Sequence, residues 1–226
     1  MIEAALWLLA TIAVYACAKR LYRFYPKLWL TPLLVTPAII IIAIELLGVP
    51  FKQYNNGAGV LTDMIEPATV ALAVILYKHL DVLKKNALLI AVSVSSGAIA
   101  AIITSAGLAR LLGLNAQMME TLAPRSATTP IALAVSNMLG GLPTITAVAT
   151  LITGLLGMIV GPLIVRWCRI RNPIARGVLF GTSAHSAGVS KAFEYGQVTG
   201  SVAGIAMLLT AFVTLCTAPW IVSLFL

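Results

Sequence analysis

Two segments of this 226-residue chain combine residue types that an ordinary apolar helix avoids. The first is Leu122-Ala-Pro-Arg-Ser-Ala-Thr-Thr-Pro-Ile131, where Pro124 and Pro130 bracket an arginine and a run of hydroxyl side chains. Pro130 suits the first turn of a helix, and Thr128 or Thr129 suits the cap before it. A helix start offers free N–H groups and the positive end of the peptide dipole, which together seat a carboxylate. Arg125 would add a charge-assisted clamp with two parallel donors. A plainer reading makes Arg125 an interfacial residue whose charge snorkels to water, with Thr128 and Thr129 bonding neighbouring helices.

The second segment is Phe180-Gly-Thr-Ser-Ala-His-Ser-Ala-Gly188, followed by Lys191 and Glu194. It is too polar to face lipid, and His185 has a side chain that titrates near physiological pH. Its plainer role is a hydrogen bond to a neighbouring helix. Lys191 and Glu194, three residues apart, read as a helical ion pair. The two segments give Arg125, Ser126, Thr128, Thr129, Asn137, Thr182, Ser183, His185 and Ser186 as a candidate substrate-binding set, with His185 and Glu66 as proton-coupling candidates. Asp63 and Glu66 precede Pro67 and read otherwise as carboxylates at a helix start. Nothing has the pattern of an enzyme site. No phosphate loop or metal-ligand cluster stands in the sequence, the two histidines are far apart, and no cofactor is called for.

The elements that position these residues follow from composition. Hydrophobic residues make up 60% of the chain and charged residues only 10%, with a mean hydropathy of +1.01. Several apolar runs approach the roughly 20 residues that cross a bilayer as helix. Lipid leaves backbone groups unsatisfied, so such runs must be helical. The fold class is therefore an all-α integral membrane protein, a polytopic helical bundle forming a single membrane domain over 1–226. The net charge of +8 lies in short clusters between apolar runs, the mark of topology control and not of a nucleic-acid partner. Cys17, Cys168 and Cys216 are scattered without metal or disulfide spacing. No cleaved leader is expected, because Met1-Ile2-Glu3 lacks a basic start.

Four spans are expected within 1–110: Ala4–Ala18, Leu28–Gly48, about Val60–Tyr77 and about Asn86–Leu108, with Val49–Gly59 a polar loop. Residues 111–169 hold a broken segment, Pro124–Gly141, then the span Leu142–Val165. Residues 170–226 hold a second broken segment, Gly177–Gly200, then the span Ser201–Leu226. Basic clusters at Arg20, Lys84 and Arg166 on the cytoplasmic side put both termini outside. An offset of sixty aligns Pro124-Arg-Ser-Ala127 with Ala184-His-Ser-Ala187, and Gly140 with Gly200. Copies entering from opposite sides would be inverted repeats with paired broken helices, a recurrent transporter plan. Gly154, Gly157 and Gly161 form a face for close helix packing.

These motifs carry a resemblance. Leu122-Ala-Pro-Arg-Ser-Ala-Thr-Thr-Pro-Ile-Ala132 resembles the signature of the LrgB/CidB family. Pro173-Ile-Ala-Arg-Gly177, Gly181-Thr-Ser-Ala-His-Ser-Ala-Gly188 and Lys191-Ala192 resemble its second stretch. The likeness runs from about Pro67 to the C-terminus. Arg125 stands where that family usually has lysine, which keeps charge but not hydrogen-bond geometry. The resemblance implies a bacterial inner (cytoplasmic) membrane protein, multi-pass, working with a small LrgA/CidA-like membrane partner; the chain is also expected to form a homo-oligomer. It also implies one of two activities: antiholin-like or holin-like modulation of murein hydrolase export and lysis, or, as in plastid relatives, carriage of glycolate and glycerate. Some bacterial relatives are linked to pyruvate uptake. A helix-end anion seat needs an anion, so the residues favour a small-monocarboxylate transporter coupled to protons. The lysis-modulating reading would instead depend on oligomer contacts such as the Gly157/Gly161 face.

Overall fold

A computed structural model of the chain describes residues 2–25, 30–64, 67, 74 and 77–226. Among them every regular element is a helix, as the composition requires. The chain divides into two compact units, residues 1–73 and 74–226.

The first unit contains α1 (Ile2–Phe24), α2 (Pro32–Leu47) and α3 (Phe51–Asp63), with α1 packed on both others. Pro32 opens α2 at a position that needs no N–H donor, and Gly48 closes it in the left-handed conformation. The expected polar loop at Val49–Gly59 is corrected here, because α3 begins at Phe51. Gly57 and Ala58 are buried one turn beyond Tyr54, whose ring meets Trp7 edge-on at 5.7 Å. Asn55, Asn56 and Lys52 stay exposed. The segment is thus an amphipathic helix whose polar face masks its period. Asp63 lies in the last turn of α3, and not at the helix start expected from the sequence. Glu66, and most of the third span expected at Val60–Tyr77, lie outside the described residues.

The second unit runs through α4 (Leu80–Lys85), α5 (Ala87–Leu111), α6 (Ala116–Leu122), α7 (Thr129–Leu139), α8 (Pro143–Trp167), α9 (Pro173–Glu194) and α10 (Gln197–Ser223). Together with residues 5–24 of α1, helices α5, α8 and α10 are long and apolar enough to cross a membrane. At 11 residues α7 is only about 16 Å long and cannot. It starts at Thr129-Pro130 and stops at Gly140, whose φ of 95° turns the chain back. A short apolar half-helix thus stands where the two-proline motif foretells a broken segment. The second broken segment is α9, interrupted at His185.

Helix α9 lies between α8 and α10 and touches α5. Glycines on α8 and α9 allow this close approach. On α8, a Cβ on Gly157 or Gly161 would strike Ala184 or the fully buried ring of Phe180. Across the other face, a Cβ on Gly177 would stand 2.6 Å from Val202 Cβ. The glycine face of α8 is therefore filled by this chain's own α9. That corrects the expectation of an oligomer contact through Gly157 and Gly161: close approach within one chain satisfies the same pattern.

Hydroxyl bonds tie the half-helix to its neighbours. Thr146 Oγ1 on α8 donates to the Thr121 carbonyl at 2.9 Å and lies 2.7 Å from Ser136 Oγ on α7. Thr121 Oγ1 accepts the Leu142 N–H at 2.8 Å. One buried node therefore joins α6, α7 and the start of α8, and satisfies backbone groups that the tight turn leaves without helical partners.

Candidate functional site

Arg125 lies between α6 and α7, on a stretch held by Ala127 N–H donating to the Pro124 carbonyl at 3.0 Å. Its guanidinium spans two helices. Nε donates to Ser105 Oγ on α5 at 3.0 Å, and Nη1 donates to Thr153 Oγ1 on α8 at 3.1 Å. Both hydroxyls in turn donate to carbonyls of their own helices, at Ala101 and Ala149. These bonds use two of the five guanidinium donors. Among the described residues the ion pair is Lys191–Glu194, at 2.6 Å, so no carboxylate there neutralises Arg125. A half-buried, preoriented cation with free donors attracts an anion strongly, because little water competes for it.

The guanidinium borders a cavity of about 440 Å³, within the roughly 300–1,000 Å³ range of small-molecule sites. Its lining comes from two spans, the broken helix α9 and one loop: Ser93, Gly97, Ala100, Ala101 and Thr104 of α5, Arg125 and Ser126, Thr153 of α8, and Val178, Leu179, Thr182 and Ser183 of α9. Gly97, Thr153 and Thr182 each fall near the midpoint of their helix, so the cavity sits midway along these helices. Ser126 Oγ and Thr182 Oγ1 are buried and have no hydrogen-bond partner among the described residues. Buried hydroxyls are nearly always paired. These two share the cavity with the Arg125 guanidinium. Gly97 shapes the wall opposite, since a Cβ there would lie 2.9 Å from Thr182 Cγ2.

Of the residues the sequence singles out, Arg125, Ser126, Thr182 and Ser183 share this cavity. Thr128 occupies the N-cap position of α7 but makes no side-chain capping bond. Thr129, in the first turn, and exposed Asn137, near the far end of α7, do not line the cavity. Ser186 is exposed on the α9 side of the break, with its Oγ 3.3 Å from His185 Nδ1. His185 is buried away from the lining, with Nε2 2.9 Å from the Thr150 carbonyl of α8. A carbonyl only accepts, so Nε2 carries the proton of that bond.

The backbone at His185 has φ 39° and ψ −130°. That region is nearly closed to residues with a Cβ and costs on the order of 1–3 kcal/mol. Sequence reasoning passes over Ser93, Gly97, Thr104, Ser105 and Thr153. A signal for some of them exists, since Ser93, Gly97, Ala100 and Thr104 recur at helical spacing along α5. In an alanine-rich span such a stripe also reads as a packing face.

A model of the LrgB-like family matches residues 11–224. The chain is 50% identical over 216 residues to the uncharacterized protein YwbG of Bacillus subtilis (strain 168), covering 96% of each. It is 34% identical over 218 residues to the uncharacterized protein YxaC of the same organism, covering 96% of this chain and 95% of that one. With the antiholin-like protein LrgB of Bacillus cereus (strain B4264) the identity is 32% over 213 residues, covering 94% and 93%. No solved structure matches the chain.

Proposed function

This chain belongs to the LrgB-like family and is a multi-pass membrane protein, and from that premise we propose that it carries small monocarboxylates of the pyruvate, glycolate or glycerate type across the bacterial cytoplasmic membrane. The observation behind this reading is the Arg125 cavity, where, among the described residues, the guanidinium has no carboxylate partner and two buried hydroxyls have no hydrogen-bond partner. A carboxylate entering it would take free N–H donors from Arg125 and O–H donors from Ser126 and Thr182. The remaining lining, with Gly97, Ala100, Ala101, Val178 and Leu179, suits a short carbon chain. Placement midway along the helices, among discontinuous ones, is a setting in which alternating access exposes one site to either side. Proton coupling is part of the proposal.

Uptake of radiolabelled pyruvate, glycolate, glycerate and lactate into proteoliposomes tests it, with and without an inward proton gradient. Saturable uptake that Arg125→Ala abolishes, in correctly inserted protein, is the expected result. Absence of uptake by well-inserted protein, alone or with an LrgA-like partner, sinks the transporter reading.

A second reading draws support from the comparisons, where a 32% identical relative is named antiholin-like. On it, the chain is a membrane subunit that modulates murein hydrolase export and lysis together with a small LrgA/CidA-like partner or further copies of itself. Lysis that responds to the chain but is indifferent to Arg125→Ala would favour that role over transport.

A further inference from the structure

We propose that His185 is a positioning residue: its ring latches α9 to α8 and thereby holds the Thr182 hydroxyl in register with the Arg125 guanidinium. Thr150 and Thr153 stand one turn apart on α8. The carbonyl of Thr150 receives His185 Nε2 at 2.9 Å, while the hydroxyl of Thr153 receives Arg125 Nη1 at 3.1 Å. A single turn of α8 therefore grips both walls of the cavity. Thr182 precedes His185 by three residues, so the angle of the break sets where its side chain points.

The ring is seated with little freedom. It is buried, and a Cβ on Gly154 would lie 2.6 Å from His185 Cε1 and 2.7 Å from Nε2. Without the bond to Thr150, α9 would have less reason to keep a non-glycine residue at φ 39°. Relaxing the break would straighten α9 and turn Thr182 away from its notch against Gly97. In this role the Nε2 proton stays in the latch and is not the transported one. The functional consequence rests on the carboxylate reading, whereas the latch itself does not.

The test uses the full chain with Cys17, Cys168 and Cys216 replaced by serine and Ser183→Cys added, a position that is exposed and lines the cavity. The three native cysteines are themselves exposed and would otherwise react. Labelling rates with a negatively charged and a neutral thiosulfonate are compared, and their ratio reads the field of Arg125 at position 183. We expect a ratio favouring the anionic reagent. It should persist in His185→Gln, which keeps a donor near the Nε2 position, and fall several-fold in His185→Met. Gly154→Ala, which displaces the ring without altering His185, should match His185→Met. The two together should exceed neither alone, as for residues acting through one contact.

An unchanged ratio in Gly154→Ala overturns the latch, and that variant carries the test even where His185→Met fails to insert. In the uptake assay, His185→Gln should keep its response to a proton gradient. Loss of that response with an unchanged labelling ratio would make His185 the proton carrier and overturn the proposal. Protection of the thiol introduced by Ser183→Cys, on adding pyruvate or glycolate, reports separately on the carboxylate reading. A latch-dependent ratio without protection removes that reading and leaves the latch standing.

Discussion

Thr182→Val exchanges a buried hydroxyl for a methyl of nearly equal size, and its two consequences carry opposite signs. Thr182 Oγ1 has no partner among the described residues, while Cγ2 faces the space above Gly97. Valine keeps the methyl contact and removes only the polar atom. A buried hydroxyl without a partner costs about 1–3 kcal/mol. Recovering on the order of 1 kcal/mol of it raises Tm by about 2–4 °C for a chain of this length. With carboxylate bound, the same hydroxyl donates to a charged oxygen, a bond of about 1.5–3 kcal/mol. Its loss raises KM about 10- to 100-fold. Thermal unfolding of purified protein without carboxylate measures the first effect, and proteoliposome uptake measures the second. A variant with a lower Tm and an unaltered KM would refute the reasoning, since the hydroxyl would then be a structural donor and the cavity no anion seat.

Arg125→Gln removes the charge while keeping a donor near Ser105 and Thr153. We expect KM to rise by about 100-fold or more, with the protein still inserted and monodisperse, and uptake kinetics check this. Gly157→Ala places a methyl against Ala184 within the same chain, an overpacking worth about 1–3 kcal/mol. Its Tm should fall by the same amount at high and low protein concentration. A fall that varies with concentration would point to an interface between copies.

The membrane class was legible because lipid offers no hydrogen bonds, so apolar runs over α5, α8 and α10 admit one backbone answer. Helix ends followed similarly local rules. Pro32, Pro130, Pro143 and Pro173 open their helices, Gly48 and Gly140 close theirs, and each depends on its own φ and its own missing atoms. Local chemistry also made Arg125, Ser126 and Thr182 conspicuous, since hydroxyls and a cation in an apolar chain have few bland uses.

Tertiary structure decided what no local rule contains. Phe51–Asp63 is helix because its tyrosine finds Trp7 on another element. The glycines of α8 could have served a second copy, and only packing assigns them to α9. His185 carries the strongest chemical signal in its segment, yet it bonds a backbone carbonyl while Thr153, an apolar-span residue with no signal of its own, and Ser93, part of a stripe that also reads as a packing face, line the cavity. Which face of a helix meets a cavity depends on the rotation of that helix against its neighbours. That rotation is set by the sum of many small contacts over three elements, and a sequence read one segment at a time does not hold that sum.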